Sequence, residues 1–423
     1  MNEKSLIIIG GGVIGLCAAY YAVHEGWRVT IIERGEPAHD SCSLGNAGMI
    51  VPSHIVPLAA PGMVGLGIRM LGNPESPFAI RPRLSSELAD WGLKFVRSCT
   101  EEHVTRSAPL LRDLNLTSRR LYEELDTEIG DFGLMRRGLL MLCKTAHGLE
   151  EETRFAARAN ALGVPAEVLT PAQTAALDPG ITMDIAGAIF FPKDCHLSPQ
   201  RFVALLTQRL QQGGATFLWN TEVTGWRTKP DGSLTAVQTK TGDVVGDEFV
   251  LAGGAWSSQL AQMLRLKIPM QAGKGYSLTV DAPRRTPEIC SILTEARVAV
   301  TPMSSLQGST LRFGGTMELG GLDLSINAAR VRGILKSVPA YYPDFTEKDF
   351  VGLPVWSGLR PCSPDGLPYL GRAKTRPNLI FAAGHAMMGL SLAPVTGKIV
   401  ADLLAHRKPD LDISLLRPER WAN

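Results

Sequence analysis

The 423-residue chain carries 43 basic and 41 acidic side chains, a formal net charge of +2, and 45% of its residues are hydrophobic. The length exceeds what one ordinary hydrophobic core accommodates, so we expect two domains in a folded globular protein. The nearly neutral balance, without any lysine or arginine block, excludes the electrostatic footprint of a nucleic-acid-binding protein.

The cysteines indicate a reducing environment. Seven of them are scattered along the chain with no Cys-x-x-Cys pair, which predicts neither a disulfide framework nor a metal site. Lys4 precedes an apolar run that a signal peptide could imitate, but the run is short and enters three glycines. We therefore expect a cytoplasmic protein.

The first 33 residues predict a strand, a helix and a second strand. The apolar run Leu6–Ile9 suits a strand buried on both faces of a parallel sheet. Residues 10–15 contain Gly-x-Gly-x-x-Gly, residues 16–25 read as a helix, and residues 28–32 form a second apolar strand that ends at Glu33. This order predicts a dinucleotide site in which Glu33 accepts hydrogen bonds from a ribose, and its charge disfavours a 2′-phosphate.

Each glycine of the turn has a distinct predicted role. Gly10 permits the tight turn, Gly12 lets a pyrophosphate approach the backbone, and Gly15 lets the helix pack closely on the strand. The N–H groups of Val13 and Ile14, at the start of the helix, are expected to face the phosphate oxygens.

The loop that follows is rich in small residues. Ser41, Ser43 and Asn46 can donate hydrogen bonds to phosphates or to ring heteroatoms. On composition alone, a polar loop without a ligand remains an alternative.

An unusually apolar segment covers residues 50–71. No charged side chain occurs between residues 41 and 68, yet prolines and glycines would break a helix long enough to cross a bilayer. We expect this segment either to contact a membrane surface or to line a buried channel.

The remaining chain alternates predicted helices and strands. Cys195 and His196 are neighbours on a strand and therefore point to opposite faces, so they are not expected to form a catalytic couple. Residues 270–330 alternate as in an antiparallel sheet. Helices are predicted at 84–98, 108–125, 150–162, 200–212, 327–337 and 394–404, and apolar strands at 138–143, 187–192, 216–219, 247–256 and 378–385.

Four stretches resemble the FAD-dependent D-amino acid oxidase superfamily over nearly the whole chain. They are residues 10–15 with Glu33, residues 250–257, residues 358–366 and residues 383–389. The resemblance implies an α/β fold, with a glutathione-reductase-like FAD-binding Rossmann domain and an antiparallel-sheet substrate domain. The FAD domain would comprise 1–90, 145–225 and 350–423 with strand 247–257, and the substrate domain would comprise 91–144 and 258–349.

Within that superfamily the sequence is most similar to the bacterial D-amino acid dehydrogenases and their hydroxyproline-type relatives. Residues 44–48, 57–62, 80–82 and 275–278 carry this similarity. It implies oxidation of a D-amino acid or cyclic imino acid by hydride transfer from Cα to flavin N5. The electrons would pass to a quinone or other carrier, and a peripheral membrane contact through residues 50–71 is the associated hypothesis.

The sequence departs from the family pattern at three places. Leu390 stands where many of these dehydrogenases carry Trp, and residues 298–300 lack the aromatic side chain of the glycine-oxidase branch. An altered side-chain pocket is therefore expected. Cys362 lies near the position of covalent flavin attachment, but its spacing does not match, so we expect non-covalent FAD.

The resemblance also implies the roles of four residues near the substrate. Arg360, in Gly-Leu-Arg-Pro, would bind the substrate carboxylate with its two-pronged guanidinium. Tyr276 would donate its hydroxyl to the same carboxylate. His385 would contact the flavin or shape the pocket, and His54 would line the substrate entrance.

The cofactor contacts implied by the resemblance extend along the chain. The N–H groups of Gly389, Leu390 and Ser391 would approach the flavin C2 oxygen, and Val223 would contact adenine. The further contacts are Arg34, Gly45, Ala47, Met49, Ala252, Gly253, Trp256, Arg360, Gly384 and Met388.

Three other functions fit parts of the pattern. An oxidase of glycine, sarcosine or a related amine would use O₂ as the acceptor. A flavin domain acting on tRNA belongs to the same superfamily, although the chain lacks a basic face. A flavin-binding module without catalytic activity is the third alternative.

Overall fold

The structure is a computed structural model that describes residues 4–37, 41–81, 83–305 and 308–421. Pro82, part of one stretch that carries the family resemblance, lies outside these ranges. The strands are β1 (Ser5–Ile9), β2 (Arg28–Ile32), β3 (Met49–Ile50), β4 (Phe78–Ile80), β5 (Leu139–Cys143), β6 (Glu167–Leu169), β7 (Gly187–Phe191), β8 (Cys195–His196), β9 (Thr216–Leu218), β10 (Val223–Thr228), β11 (Leu234–Thr239), β12 (Gly242–Val245), β13 (Glu248–Leu251), β14 (Gln271–Asp281), β15 (Cys290–Leu293), β16 (Val298–Ser305), β17 (Gly308–Leu319), β18 (Val355–Cys362), β19 (Tyr369–Ala373) and β20 (Arg376–Ala383). The α-helices are α1 (Val13–His24), α2 (Met63–Met70), α3 (Ser86–Ser98), α4 (Glu101–Ile129), α5 (Ala146–Ala161), α6 (Pro171–Leu177), α7 (Pro199–Gln212), α8 (Ser257–Gln262), α9 (Ala328–Tyr341) and α10 (Ala393–Leu404).

The first sheet has the strand order β19-β20-β13-β1-β2-β9. Its strands are parallel except β19, which is antiparallel to β20. Leu6 and Ile8 belong to one core cluster, whereas Ile7 and Ile9 belong to another. Both faces of β1 are therefore covered, which explains its unbroken apolar run. The predicted opening strand–helix–strand unit is confirmed.

The second sheet has the order β18-β14-β17-β16-β15-β5-β7-β6, and β4 also pairs with β17. Most of its neighbours are antiparallel, as predicted for residues 270–330, although β5 pairs with β15 and β4 with β17 in parallel. Helix α9 covers one face, where Ile334 and Val338 share a core cluster with Phe313. The predicted combination of a parallel-sheet α/β unit with an antiparallel sheet is confirmed.

Strand pairing does not follow the domain boundaries proposed from the sequence at every point. Strands β4, β6, β7 and β18 fall in segments assigned to the FAD domain, yet all four join the second sheet. β4 pairs with β17, β18 with β14, β7 with β5 and β6 with β7, and no local pattern specifies these pairings.

Helix α4 is longer than the sequence predicted. It begins at Glu101 rather than near residue 108, and the Thr100 side chain caps it by accepting a hydrogen bond from the His103 N–H. Pro109 lies inside the helix, although proline usually marks a first turn. The buried side chains of α4 pack the helix against the core, and tertiary packing outweighs the local preference of Pro109.

The apolar segment ends in an exposed helix. None of the residues of α2 is buried, and Ile68 and Leu71 are 65% and 47% exposed. Within the described ranges, no helix combines the length and the apolar character that a membrane crossing requires.

Candidate functional site

A long cleft begins where β1 meets α1. Gly10 adopts φ +113°, and a Cβ on it would lie 2.4 Å from the Ala252 carbonyl oxygen. A Cβ on Gly15 would lie 2.0 Å from the Gly10 carbonyl oxygen. Only glycine fits at these two positions, and the backbone of Gly12 is exposed to the cleft as the N-cap of α1. This geometry explains the glycines at positions 10 and 15, and the cofactor contact of Gly12 stays a prediction.

The start of α1 presents N–H groups to the cleft. The Val13 N–H donates to Ser43 Oγ at 3.0 Å. The Ile14 N–H has no acceptor among the described residues. Both residues line the cleft, and the first turn of α1 contains no acidic residue, so the positive end of the helix dipole faces the cleft.

The next part of the cleft contains the predicted ribose-binding acid. Glu33 Oε2 accepts from the Gly11 N–H at 2.8 Å, and Oε1 accepts from the Gly35 N–H at 2.9 Å. These bonds fix the carboxylate, and each oxygen retains a lone pair for a hydroxyl donor. The Arg34 guanidinium stacks 3.4 Å from the centre of the Trp256 ring. The predicted residues Val223, Ala252, Gly253 and Trp256 also line this part.

Ser41, Ser43 and Asn46 of the loop after β2 line one side of the cleft, and their hydrogen bonds to a ligand stay a prediction. Ser41 Oγ is buried and has no hydrogen-bond partner among the described residues. A buried hydroxyl normally has a partner. An unpartnered hydroxyl that lines a cleft therefore indicates a ligand with polar atoms at this place.

The opposite end of the cleft lies at the tip of β20. Ala383 and His385 line it. Between them, residue 384 has to be glycine for two reasons: its φ is +78°, and a Cβ there would lie 2.8 Å from the Tyr369 ring. Met388 lies in the hydrophobic core instead of the cleft wall, so its predicted cofactor contact is not among those that the structure brings together.

Free backbone donors occur again just before α10. The N–H groups of Gly389, Leu390 and Ser391 have no acceptor in the described part of the chain, and Gly389 and Leu390 line the cleft. Ser391 Oγ is occupied, because it accepts from the Val51 N–H and donates to Asn115 Oδ1. The prediction that these backbone N–H groups face a ligand fits this arrangement, whereas the Ser391 side chain has a structural role.

His385 is neutral at physiological pH. Its Nε2 lies 3.0 Å from Thr396 Oγ1, and burial lowers the pKa of His385 to about 3. Such an imidazole is uncharged at neutral pH, with one ring nitrogen protonated, and is a weak base. His385 therefore shapes the cleft through its position.

Arg360 lies on β18 between Leu359 and Pro361, which line the cleft, although Arg360 itself is not among the lining residues. Its Nη1 donates to the Thr316 carbonyl oxygen at 2.6 Å. No ion pair joins Arg360 to an acidic residue of the described ranges. A guanidinium that is held by a carbonyl dipole keeps its full charge for an incoming carboxylate.

A β-bulge positions this guanidinium. The register between β14 and β17 shifts so that Thr316 and Met317 together face Gly275. Thr316 has φ +70°, which is unusual for a β-branched residue. A Cβ on Gly275 would lie 2.2 Å from Arg360 Nη1, so the guanidinium rests directly on the backbone of β14.

The structure does not bring Tyr276 to Arg360, contrary to the expectation from the sequence. Its hydroxyl donates to Glu318 Oε2 at 3.1 Å and accepts from the Asn327 N–H at 3.3 Å. Arg360 pairs with Gly273 on β14, and alternate residues of a strand face opposite sides, so Tyr276 lies on the other face. It packs there in the cluster under α9, and we leave it out of the proposed carboxylate site.

His54 does not line the cleft either. Its Nδ1 lies 3.2 Å from Ser53 Oγ, and Ser53 donates through its N–H and Oγ to Asp194. Burial lowers the pKa of His54 to about 4 and raises the pKa of Asp194 to about 7. The predicted role of His54 at the substrate entrance is not supported by this placement.

At three other predicted contacts the side-chain position is directed away from the cleft. Gly45 is covered by the Trp356 ring, which a Cβ would meet at 2.1 Å. Met49 pairs with His196 and, with Ala47, packs in a neighbouring core cluster. These residues support the loop that lines the cleft.

Several residues of the site escaped the sequence analysis. Cys42 and Leu324 line the cleft. Asn115 and Tyr122 of α4 hold the segment before α10, since the Tyr122 hydroxyl donates to the Leu390 carbonyl at 2.6 Å. The buried face of α4 carries these polar groups among leucines, and that pattern was the only available signal.

The glycine cradle, the acid at the end of β2 and two sets of free N–H groups define a dinucleotide-binding protein with one continuous cleft. The sequence matches the family described as FAD dependent oxidoreductase over residues 5–403. The chain belongs to this family, its cofactor is FAD, and it is an oxidoreductase.

Curated relatives cover the full length of the chain. The chain is 30% identical over 423 residues to a D-amino acid dehydrogenase of Granulibacter bethesdensis, with 99% of each chain covered. It is 32% identical over 433 residues to a D-amino acid dehydrogenase of Bradyrhizobium diazoefficiens, again with 99% of each covered.

Solved structures with the same fold include a glycine oxidase from Geobacillus kaustophilus, at 25% identity, TM-score 0.79 and 99% coverage of both chains. An L-proline dehydrogenase from P. horikoshii shares the fold at 20% identity and TM-score 0.73, with 100% of this chain and 98% of that chain covered.

Proposed function

We propose that the protein oxidises a small D-amino acid, or a cyclic imino acid of the proline and hydroxyproline type, to the corresponding imino product. Bound FAD supplies the two-electron chemistry by accepting a hydride from the substrate α-carbon at flavin N5. The observation that carries the proposal is the Arg360 guanidinium, which the Thr316 carbonyl holds on a strand whose neighbouring residues line the cleft, and which has no acidic protein partner in the described ranges. The full-length similarity to D-amino acid dehydrogenases supports it.

Arg360 orients the substrate in this reaction. Its Nη1 is fixed by the Thr316 carbonyl, and the remaining N–H groups of the fork can bind a carboxylate bidentately. A carboxylate held in this way fixes the position and orientation of the substrate α-carbon, which reduces the entropy lost on reaching the reactive geometry.

The described residues at the flavin end of the cleft include no strong base. The acidic residues among the described cleft-lining residues are Glu33 and Glu222, and both lie at the ribose end with Val223. His385 is neutral and weakly basic because burial lowers its pKa to about 3. The substrate amine therefore has to arrive neutral, and the rate should rise with pH as the amine loses its proton.

An anaerobic screen tests this function. Holoenzyme is mixed with D- and L-amino acids, prolines and hydroxyprolines while the flavin absorbance is followed. We expect bleaching with a D-amino acid or a cyclic imino acid. Arg360→Leu should reduce the rate by about 100-fold or more at equal substrate, because a charged bidentate contact is lost.

Two further variants complete this test. Arg360→Lys should recover part of the rate, since it keeps the charge but not the fork. Arg227→Leu, which removes an exposed arginine paired with Asp243, should behave as wild type. Normal bleaching by Arg360→Leu would contradict the proposed anchor, and no bleaching by any of these compounds would contradict the proposed substrate class.

We further propose that the electrons leave to a quinone or another carrier, and that the protein is cytoplasmic and touches the membrane surface through residues 50–71. The exposed apolar side chains Ile68 and Leu71 support this. The double change Ile68→Asp and Leu71→Asp should abolish co-flotation with phosphatidylglycerol vesicles. Val245→Asp, at an exposed position on β12, should not. Equal flotation of the two variants would contradict the membrane contact.

The alternative acceptor is O₂, which the fold similarity to a glycine oxidase favours. The two acceptors are separated by measuring oxygen consumption and quinone reduction with the same substrate. Stoichiometric oxygen consumption without quinone reduction would replace the proposed dehydrogenase by an oxidase.

A further inference from the structure

Arg312 on β17 is a buried cation. Its side chain is only 3% exposed, and it forms no ion pair with any acidic residue in the described ranges. Burial lowers the pKa of Arg312 to about 10, so it remains charged at neutral pH. An uncompensated buried guanidinium is unfavourable unless something nearby carries negative charge or oriented dipoles.

The donors of Arg312 are directed at the loop that lines the cleft. Nη1 donates to the carbonyl oxygens of Leu44 and Asn46 at 2.9 and 2.8 Å, and Nε donates to Thr279 Oγ1 at 3.1 Å. The guanidinium therefore bonds to two peptide groups of one loop from behind.

The N–H groups of these two peptides belong to Gly45 and Ala47. In a trans peptide the N–H points opposite to the C=O, so both N–H groups point away from Arg312. Neither has an acceptor in the described part of the chain. Between them lies Asn46, which lines the cleft.

We propose that Arg312 is a positioning residue for the cofactor: it fixes the N–H groups of Gly45 and Ala47 as donors toward the flavin ring system and polarises them through their own carbonyls. Hydrogen bonds in series strengthen one another. Two-electron reduction of a flavin with uptake of one proton adds one negative charge, and preorganised donors stabilise developing charge most effectively in a water-poor site. Arg312 thereby raises the flavin reduction potential.

This inference goes beyond the proposed reaction, because it requires only bound FAD and no particular substrate. Its failure is therefore distinguishable from failure of the substrate assignment.

The test uses the holoenzyme and sulfite, which adds to oxidised flavin and leaves a negative charge on it. Arg312→Met should weaken sulfite binding by about tenfold or more. It should also lower the midpoint potential by about 30 mV, the equivalent of a tenfold change for a two-electron couple. Both readouts are independent of turnover.

Arg330 provides the matched control. It is also buried without an acidic partner in the described ranges, and its Nη1 binds the carbonyl oxygens of Asn73 and Ser76, which do not line the cleft. Arg330→Met should lower the thermal stability but leave sulfite affinity and potential unchanged. Equal behaviour of the Met variants of Arg312 and Arg330, with lower stability and unchanged flavin properties, would overturn the proposal.

Arg312→Lys decides the question if Arg312→Met fails to retain FAD. It keeps the charge behind the loop, so sulfite affinity should stay within about threefold of wild type. Weakening by about tenfold in Arg312→Lys would also overturn the proposal, because the charge alone would then not sustain the effect.

Discussion

The position of Arg360 depends on two backbone features rather than on a partner side chain. Gly275 leaves room for the guanidinium, and the Thr316 carbonyl accepts its hydrogen bond from within a β-bulge. The left-handed φ of Thr316 stores strain next to the proposed binding group, as is common at functional sites. Among the residues that the structure describes, none forms a hydrogen bond with Thr316 Oγ1 that would compensate the strain.

A glycine substitution tests this arrangement. Gly275→Ala should raise KM for the amino acid about tenfold, because the new Cβ displaces a guanidinium nitrogen that lies 2.2 Å from its position. The flavin spectrum should not change. Steady-state kinetics and a spectral titration with a small carboxylate inhibitor measure the effect.

Gly314→Ala is the matched control on the neighbouring strand. Its Cβ would meet the Ser277 Cβ at an ordinary 3.7 Å, so KM should stay near wild type. Equal KM values for the Ala variants of Gly275 and Gly314 would contradict the role assigned to Gly275.

The sequence predicted the geometry that local spacing determines and missed the geometry that tertiary contacts determine. Gly10, Gly15 and Glu33 act within one strand–helix–strand unit, so their spacing was sufficient. Tyr276 was misplaced because its side-chain direction depends on the register of β14 with β18, which a motif does not specify.

Helix α4 controls the segment that opens α10. Tyr122 donates to the Leu390 carbonyl and Asn115 accepts from Ser391 Oγ, so a helix remote in sequence positions the free N–H groups at the end of the cleft. The sequence predicted both helices. Their contact was not predictable, because it joins residues 268 positions apart.

A tyrosine pair tests this contact. Tyr122→Phe leaves the buried Leu390 carbonyl without its donor, so stability should fall by roughly 1–2 kcal/mol and FAD should bind more weakly. Tyr342→Phe removes a buried hydroxyl that bonds Ser291 in the second sheet, and it should cost similar stability without changing FAD affinity. Equal FAD dissociation constants for the two variants would show that α4 does not position the cofactor site.

The molecule joins two sheets around one cleft. The loop after β2 is attached to the second sheet by the bond from Ser277 Oγ to the Gly45 carbonyl and by the Trp356 ring. These contacts hold the cofactor cleft and Arg360 together, although the residues involved come from both ends of the chain. The sequence predicted two sheets and their ligand-facing tips. It did not predict that β6 and β7, from a segment assigned to the FAD domain, join the second sheet, because that pairing depends on the whole fold.

The buried titratable groups predict how the stability of the whole molecule depends on pH. Burial raises the pKa of Asp194 from 3.8 to about 7, so this group lowers the stability as pH rises through that range. Burial lowers the pKa values of His54 and His196 from 6.5 to about 4, so these groups raise the stability as pH rises from about 4 to 6.5. The contributions oppose each other in the wild type.

Asp194→Asn removes one of the opposing contributions. The difference in unfolding free energy between the variant and wild type should grow by roughly 1–3 kcal/mol in favour of the variant as pH rises from 4 to 7. Urea unfolding at a series of pH values measures this difference. Asp90→Asn, at an exposed position, should show a constant difference from wild type. A difference for Asp194→Asn that does not vary with pH would contradict the assigned titration.

The most direct test of the central claim is a crystal structure of the holoenzyme with a small, non-oxidisable cyclic carboxylate. FAD should lie in the cleft between the α1 cradle and the segment before α10, with the carboxylate oxygens about 3 Å from the nitrogens of the Arg360 guanidinium. A carboxylate bound elsewhere, with Arg360 contacting only the Thr316 carbonyl, would contradict the account.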